Sequence, residues 1–204
     1  MTITAIEDKG RGKRLISLND SPAFILKISE VSHYGLREGA ELTDEVYERL
    51  LEEVLIKRAK SRTLHILDSR DKTEKELRDR LEKDLYPQEA IDAAVEAAKS
   101  GRFLDDERYA SQYIYEKSGK KSERQIRIFL EGKGIGRDII DRAFDEVRSG
   151  FEETKEDPER DLILKLINKR CQEPSALDNV EKQKLIRFLL SKGFEYDKIR
   201  KYMV

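Results

Sequence analysis

Apolar residues recur in this chain in three similar blocks, and within each block their spacing is that of helices. The blocks begin at Thr73, Ser122 and Glu181. Apolar residues three and four positions apart predict one buried face on each helix, and a repeat of roughly 50 to 60 residues indicates small helical units in an array. The equivalent apolar positions are Leu77, Ile126 and Leu185; Leu81, Leu130 and Leu189; Tyr86, Ile135 and Phe194; and Ile91, Ile140 and Ile199.

Each block predicts a helix, a tight turn and a second helix. The first helix begins with a capping residue that has a Glu or Gln three positions later; the pairs are Thr73 with Glu76, Ser122 with Gln125, and Asp178 with Glu181. Gly134 and Gly193 end this helix in two of the blocks, and an apolar residue follows each glycine, as in a helix-stop motif. The first block has Leu85 at the glycine position and Pro87 shortly after it, so we expect a different turn geometry there.

A further helical stretch precedes each pair, so each unit should contain three helices. The 55 residues before the units differ, because short segments rich in β-branched and aromatic residues are separated by turn residues at 10–12 and 20–22. They predict a three-stranded antiparallel sheet over about residues 2–29. The predicted fold is mainly α, an elongated array of tandem three-helix repeats preceded by a small sheet and helix extension. The predicted domains are 1–55 for the extension and 56–104, 105–150 and 151–204 for the repeats.

Composition limits the class of protein. Charged residues make up 41% of the 204 residues and the mean hydropathy is -0.72. No apolar run approaches the ~18 residues of a membrane span, and the first residues lack the apolar core of a signal peptide. We therefore expect a cytoplasmic protein without a membrane partner. The single cysteine, Cys171, excludes an intramolecular disulfide.

Candidate catalytic residues are few. His33 and His65 do not stand at metal-ligand spacing with each other or with Cys171. Asp105 and Asp106 could form a carboxylate pair, but they fit better as the start of a helix, where they cap it and complement its dipole. The segment GKGIG at 132–136 follows no strand and fits a helix stop better than a phosphate loop. We therefore predict no enzymatic activity, no cofactor and no small-molecule substrate.

Charge is distributed in blocks although the chain has a net charge of -1. Residues 108–137 and 162–204 each carry a local charge of +5, whereas 138–161 carry -6. Such basic segments are typical of contacts with phosphates or with acidic protein surfaces. At helical spacing Arg124 and Arg127 can share one exposed face. The candidate contact residues are Lys120, Lys121, Arg124, Arg127, Lys133, Arg137, Lys182, Lys184, Arg187 and Lys192.

Several strings of the sequence resemble a known family. GRFLDDERYA at 101–110, GKGIGRDII at 132–140 and SRDKTEKELRDRL at 69–81 are similar to signature segments of the RecX regulatory family. LNDSPAFILKIS and REGAELTDEVYERL resemble the N-terminal extension of its longer members. The resemblance implies a cytoplasmic modulator that lies in the groove of the RecA filament on single-stranded DNA and restrains its ATPase and strand exchange.

A second hypothesis starts from the basic segments alone. A helical module that binds nucleic acid directly would act by competition for DNA and would meet the recombinase only indirectly. The near-neutral net charge predicts that any direct DNA binding is weak.

Overall fold

The structure is a computed structural model that describes residues 1–154, 157–171 and 177–203. The chain divides into two compact units, Met1–Asp105 and Asp106–Val204. The first unit opens with a three-stranded antiparallel meander of β1 (Ile3–Gly10), β2 (Lys13–Leu18) and β3 (Ser21–Lys27). Asn19 and Asp20 both have positive φ in the second hairpin, as a tight two-residue turn requires.

Helices make up the rest of the first unit. A short helix, α1 (Ile28–His33), leads to α2 (Asp44–Leu50), which continues through the π-helical segment Leu51–Leu55 into α3 (Ile56–Ser69). The helices α4 (Glu74–Lys83) and α5 (Gln88–Ser100) complete the first repeat. One apolar core joins the buried face of the sheet to these helices. The predicted segments 1–55 and 56–104 therefore share a core.

The second unit contains two further helical repeats. The second repeat consists of α6 (Asp106–Lys117), α7 (Glu123–Gly132) and α8 (Arg137–Thr154). The third consists of α9 (Pro158–Asn168), α10 (Asn179–Ser191) and α11 (Tyr196–Lys201). Each repeat has its own apolar core, and no strand occurs among the described residues of this unit. The prediction of tandem three-helix repeats behind a small antiparallel sheet is confirmed.

Capping residues begin the middle helix of every repeat, as the sequence predicts. The side chains of Thr73, Ser122 and Asp178 each accept a hydrogen bond from the backbone N–H three residues later. The Glu or Gln at that position reaches back to the backbone of the cap, which completes the capping box. The twelve equivalent apolar positions lie in the repeat cores, and all except the half-buried Tyr86 are buried.

The turn after α4 corrects one prediction. Leu85 has a φ of 61°, and the next N–H, that of Tyr86, donates to the carbonyl of Leu81 at 3.2 Å. Ile135 and Phe194 make the same backbone bond after Gly134 and Gly193, at 3.2 and 3.3 Å. The first repeat therefore has the same turn as the others, and the expected difference in geometry is wrong. The backbone hydrogen bonds impose the left-handed conformation on a leucine, which costs about 1–2 kcal/mol relative to glycine.

Candidate partner-binding surface

Lysine side chains in the second repeat are held on a pair of aromatic rings. Tyr113 of α6 and Phe129 of α7 stack with ring centroids 4.3 Å apart and planes at 8°. The ammonium groups of Lys117 and Lys121 lie 5.6 Å from the centre of the Tyr113 ring. Those of Lys121 and Lys133 lie 5.3 and 5.4 Å from the centre of the Phe129 ring. Ring faces attract cations at these distances, so the pair fixes the positions of three positive charges.

The third repeat has a similar arrangement at the equivalent position. Phe188 of α10 corresponds to Phe129, and Lys192 corresponds to Lys133. The guanidinium of Arg170 lies 3.6 Å from the centre of the Phe188 ring, and the ammonium of Lys192 lies 5.6 Å from it. We call the two sets together the cation–ring face; its members are Tyr113, Lys117, Lys121, Phe129, Lys133, Arg170, Phe188 and Lys192.

Three cations of the cation–ring face keep their charge available. Within residues 1–154, 157–171 and 177–203, Lys121, Arg170 and Lys192 form no ion pair with a carboxylate. Lys121 instead donates to the Tyr113 hydroxyl at 3.0 Å. A cation supported by a ring retains its full positive charge toward solvent, whereas one paired with a carboxylate is largely neutralised. This face is therefore suited to an anionic partner.

The second and third repeats meet at Ser122, next to Lys121. The buried Ser122 hydroxyl donates to the backbone carbonyl of Lys192 at 2.7 Å while it caps α7. The side chain of Arg124 also lies at this joint, because a Cβ atom built on Gly193 would be 3.2 Å from the Cβ of Arg124. The joint therefore brings together candidate contact residues that lie about seventy positions apart in the sequence.

The first repeat lacks the cation–ring arrangement. Arg80 stands at the position of Phe129, and Asp84 stands at the position of Lys133. Asp84 accepts from Arg62 at 2.8 Å and pairs with Arg80 at 3.4 Å. A carboxylate thus offsets the positive charge that the second and third repeats present on rings.

Arg127 has a different role from the neighbouring Arg124. Arg124 is exposed, but the side chain of Arg127 is 31% exposed, and it donates to Glu123 at 2.9 Å and to Asp141 at 2.6 Å. Its guanidinium also lies 4.5 Å from the centre of the Phe144 ring. The expectation that Arg124 and Arg127 share one exposed face is therefore not met, since Arg127 is engaged in joining α7 to α8.

The network around Arg127 recurs in the first repeat. Arg78 donates to Glu74 at 2.7 Å and to Asp92 at 2.6 Å. In each of these two repeats a cation of the last helix adds a further ion pair, from Lys99 to Glu74 and from Arg148 to Glu123. The equivalent positions of the third repeat hold Lys182, Ile186 and Arg200, which cannot form this network.

The remaining candidate residues are distributed over the second unit. Lys120, Lys184 and Arg187 are exposed. Arg137 is 84% exposed and pairs with Glu131 at 2.9 Å, and Lys182 is half-buried at the start of α10.

The aromatic side chains that support the cations of the cation–ring face were not predicted from the sequence. Phe129 and Phe188 each stand one position before a core leucine, are half-buried and pack against the cores of their repeats. Their recurrence at equivalent positions between basic residues was the available signal. The members of the face that the sequence candidates did not include are Tyr113, Lys117, Phe129, Arg170 and Phe188.

Removal of one carboxylate from the network should reduce stability in a pH-dependent way. Burial alone would raise the pKa of Glu123, but hydrogen bonds from Arg148 and Arg127 outweigh it and hold the pKa below its ordinary value of 4.5. The carboxylate therefore stabilises the fold above pH 4.5, and this contribution is lost as the pH falls through the lowered pKa. We expect Glu123→Gln to lower the free energy of unfolding at pH 7 by about 1–3 kcal/mol, as measured by chemical denaturation.

The matched control for this prediction is Glu131→Gln. Its partner Arg137 is almost fully exposed, and such pairs contribute about 0–1 kcal/mol. The difference in unfolding free energy between Glu123→Gln and the unmodified chain should shrink as the pH falls through the lowered pKa of Glu123. A constant difference across the pH range would show that the charge of Glu123 is not the cause.

Two kinds of site have no support in the part of the chain that the structure describes. No group of three or more His, Cys, Asp or Glu side chains there could hold a metal ion. None of the described helices combines the length and the apolar character needed to cross a bilayer.

Comparison with known proteins places the chain in a family. Family models for the first, second and third three-helix domains of RecX match residues 59–96, 105–143 and 157–203. "Regulatory protein RecX" of Clostridium botulinum (strain Alaska E43 / Type E3) is 30% identical over 97% of this chain and 92% of its own length. The chain belongs to the RecX family. The RecX protein of Caldanaerobacter subterraneus subsp. tengcongensis is 28% identical over 98% of both chains.

Solved RecX structures are similar to this chain. A crystal structure of regulatory protein RecX covers 98% of both chains with a TM-score of 0.61 and 25% identity. The crystal structure of RecX from Lactobacillus salivarius covers 72% of this chain and 92% of its own, with a TM-score of 0.59 and 23% identity. Both share the fold described above, and the curated relatives bear the name of regulatory proteins.

Proposed function

We propose that the chain is a non-enzymatic, cytoplasmic regulator that binds the RecA filament on single-stranded DNA and restrains its ATP hydrolysis and strand exchange. Membership of the RecX family supports the partner, since relatives that cover nearly the whole chain are named regulatory proteins. The observation that carries the contact surface is the cation–ring face, because it holds Lys121, Arg170 and Lys192 without a neutralising carboxylate.

The proposed action requires no chemical step by the chain. A surface of pre-positioned cations can bind one arrangement of a nucleoprotein filament more tightly than another, and the equilibrium between the two then shifts by the difference in affinity. Rearrangements that accompany nucleotide turnover become less favourable while the regulator is bound. Arg124 and Lys120 extend the same basic surface at the start of α7, whereas Arg127 joins α7 to α8.

A second candidate function is direct binding of nucleic acid with competition for DNA. The combination of aromatic rings and basic side chains favours it, because this combination is typical of proteins that bind single strands. The rings here are partly covered by each other and by the cations, which leaves less ring surface for stacking with bases. We therefore place it second.

The test adds the purified chain to RecA on single-stranded DNA and, separately, to the bare DNA. We expect saturable binding to the filament, weak binding to bare DNA, and slower DNA-dependent ATP hydrolysis at substoichiometric amounts of the chain. Equal affinity for the filament and for bare DNA would favour competition for DNA instead. Unchanged RecA turnover at saturating amounts of the chain would contradict the mechanism, and a lack of saturable filament binding would contradict the partner.

A further inference from the structure

A basic cavity lies within the unit Met1–Asp105. It has a volume of about 550 Å³ and lies where β3, α3 and the turn after α4 converge. We call it the β3–α3 cleft. Its charged lining consists of Lys13, Lys27, Arg58, Arg62 and Lys83 with a single carboxylate, Asp84. The lining therefore carries an excess of positive charge.

The two arginines of the cleft are fixed as parts of its wall. Arg58 forms an ion pair with Glu30 and donates to the carbonyl of Ile25 at 3.4 Å. Arg62 donates to Asp84 at 2.8 Å. Both arginine side chains are about 30% exposed. Their positions are set by these bonds, so the wall is formed before any ligand enters.

The three lysines form an exposed rim around this wall. Lys13, Lys27 and Lys83 are all exposed, and none of them forms an ion pair in this fully described unit. Exposed lysines without a carboxylate partner attract anionic groups. A phosphate or a carboxylate would satisfy the rim equally well, so the remainder of the lining has to distinguish them.

Apolar side chains distinguish the possible ligands. Ile25 and Leu85 are half-buried and line the cleft, yet neither is among the side chains that pack against the core of this unit. Leu26, Leu55 and Tyr86 complete the apolar part of the lining. A free phosphate or a nucleic acid backbone has nothing to place against such a surface, whereas a peptide can place an apolar side chain there.

The backbone at Leu85 gives an independent reason to regard the apolar wall as functional. Leu85 adopts the left-handed conformation that glycine adopts in the other two repeats, although glycine would satisfy the turn without strain. Strained residues of this kind cluster at binding sites, where the side chain is needed. Here the strain places a leucine side chain on the wall of the cleft instead of leaving a gap.

We propose that the β3–α3 cleft binds a short acidic peptide segment of a protein partner, with carboxylates on the lysine rim and an apolar side chain against Ile25 and Leu85. This proposal does not depend on the action on RecA, because it concerns a different unit and different residues. The partner is defined only by its chemistry, which is a peptide that combines Asp or Glu with Leu, Ile or Phe.

The test is a selection of phage-displayed random 12-residue peptides on the immobilised full chain. Phage that also bind the double variant Lys27→Glu/Lys83→Glu are removed. We expect the enriched peptides to combine at least two acidic residues with a large apolar residue. A synthetic enriched peptide should bind saturably in a fluorescence titration and at least tenfold more weakly to the double variant, because like charges would then face each other. Enriched peptides without acidic residues would overturn the proposal.

Leu85→Gly separates binding from folding. The substitution relieves the left-handed strain and removes the apolar contact, so peptide affinity should fall by about tenfold while the melting temperature should not decrease. Lys57→Glu with Lys60→Glu, on the exposed part of α3, makes the same change in net charge outside the cleft and should leave peptide affinity unchanged. Unchanged affinity in Leu85→Gly, or displacement of the peptide by inorganic triphosphate at equal concentration, would show that the cleft is a general anion site and overturn the proposal.

Discussion

Reversing three cations at the joint of the second and third repeats should abolish most of the binding to the RecA filament. The variant Lys121→Glu with Arg124→Glu and Lys192→Glu introduces three negative charges in place of three positive ones that, in the proposed complex, face an anionic surface. We expect the affinity for RecA on single-stranded DNA to fall by at least about 100-fold, since like charges in contact are strongly unfavourable. Fluorescence titration of labelled filaments at fixed salt measures this effect.

A matched variant controls for net charge. Lys9→Glu with Lys57→Glu and Lys60→Glu makes the same change in charge on exposed lysines of the other unit, and it should retain most of the affinity. Circular dichroism should show an unchanged helical content in both variants. Exposed charges contribute little to stability, and the bond from the half-buried Lys121 to the Tyr113 hydroxyl contributes only about 1 kcal/mol. If the joint variant and the matched variant lose affinity equally, the cation–ring face is not the contact surface.

The salt dependence of the same variants distinguishes phosphate contacts from protein contacts. Each lost contact with a phosphate of single-stranded DNA should reduce the slope of log affinity against log salt by about 0.7. Loss of three such contacts therefore reduces it by about 2 on bare DNA. If the three cations contact acidic side chains of RecA instead, binding to bare DNA should hardly change while binding to the filament is lost.

Among glycine-to-alanine substitutions, Gly193→Ala should destabilise the second unit most. Gly193 has a φ of 91°, and a Cβ atom there would lie 2.8 Å from the Ser122 hydroxyl oxygen and 3.2 Å from the Cβ of Arg124. The substitution therefore adds backbone strain of about 1–2 kcal/mol to the displacement of a buried cap of about 1 kcal/mol. We expect the free energy of unfolding to fall by about 2–3 kcal/mol.

Gly119→Ala is the appropriate comparison for this effect. Gly119 also has positive φ, at 74°, but its added Cβ would lie 3.5 Å from the nearest atom of Pro158, an ordinary contact. Only the backbone strain remains, so the free energy of unfolding of this variant should fall by about 1–2 kcal/mol. Equal losses in thermal unfolding of the two variants would show that the contact with Ser122 does not matter.

Local patterns in the sequence were sufficient for the repeats. The capping boxes and the apolar spacing depend on residues within one or two turns of helix, and the structure confirms both. The turn at Leu85 could not be predicted correctly in this way. Its conformation is imposed by backbone hydrogen bonds that a leucine tolerates at a cost, and residue preference alone indicated another geometry.

The candidate surface could be predicted only in part from the sequence. A basic residue on a helix can bind a partner or form an ion pair, and Arg127 forms pairs because Asp141 is brought to it by the packing of α7 against α8. The recurrence of Glu, Arg and Asp at the same spacing in the first two repeats was a usable signal for this role. The sequence holds no such signal for the joint at Ser122, since the Lys192 carbonyl belongs to the backbone and lies in another repeat.

The hydroxyl at this joint has a consequence for the design of longer arrays. Ser122 accepts a hydrogen bond from the Gln125 N–H and donates one to the Lys192 carbonyl, so it acts in both directions at once. A carboxylate can only accept hydrogen bonds. The third repeat has such a cap, the exposed Asp178. A repeat designed to stack on the third in the same manner would need a hydroxyl donor at position 178, so an extended array built from this chain would have to carry Asp178→Ser or Asp178→Thr.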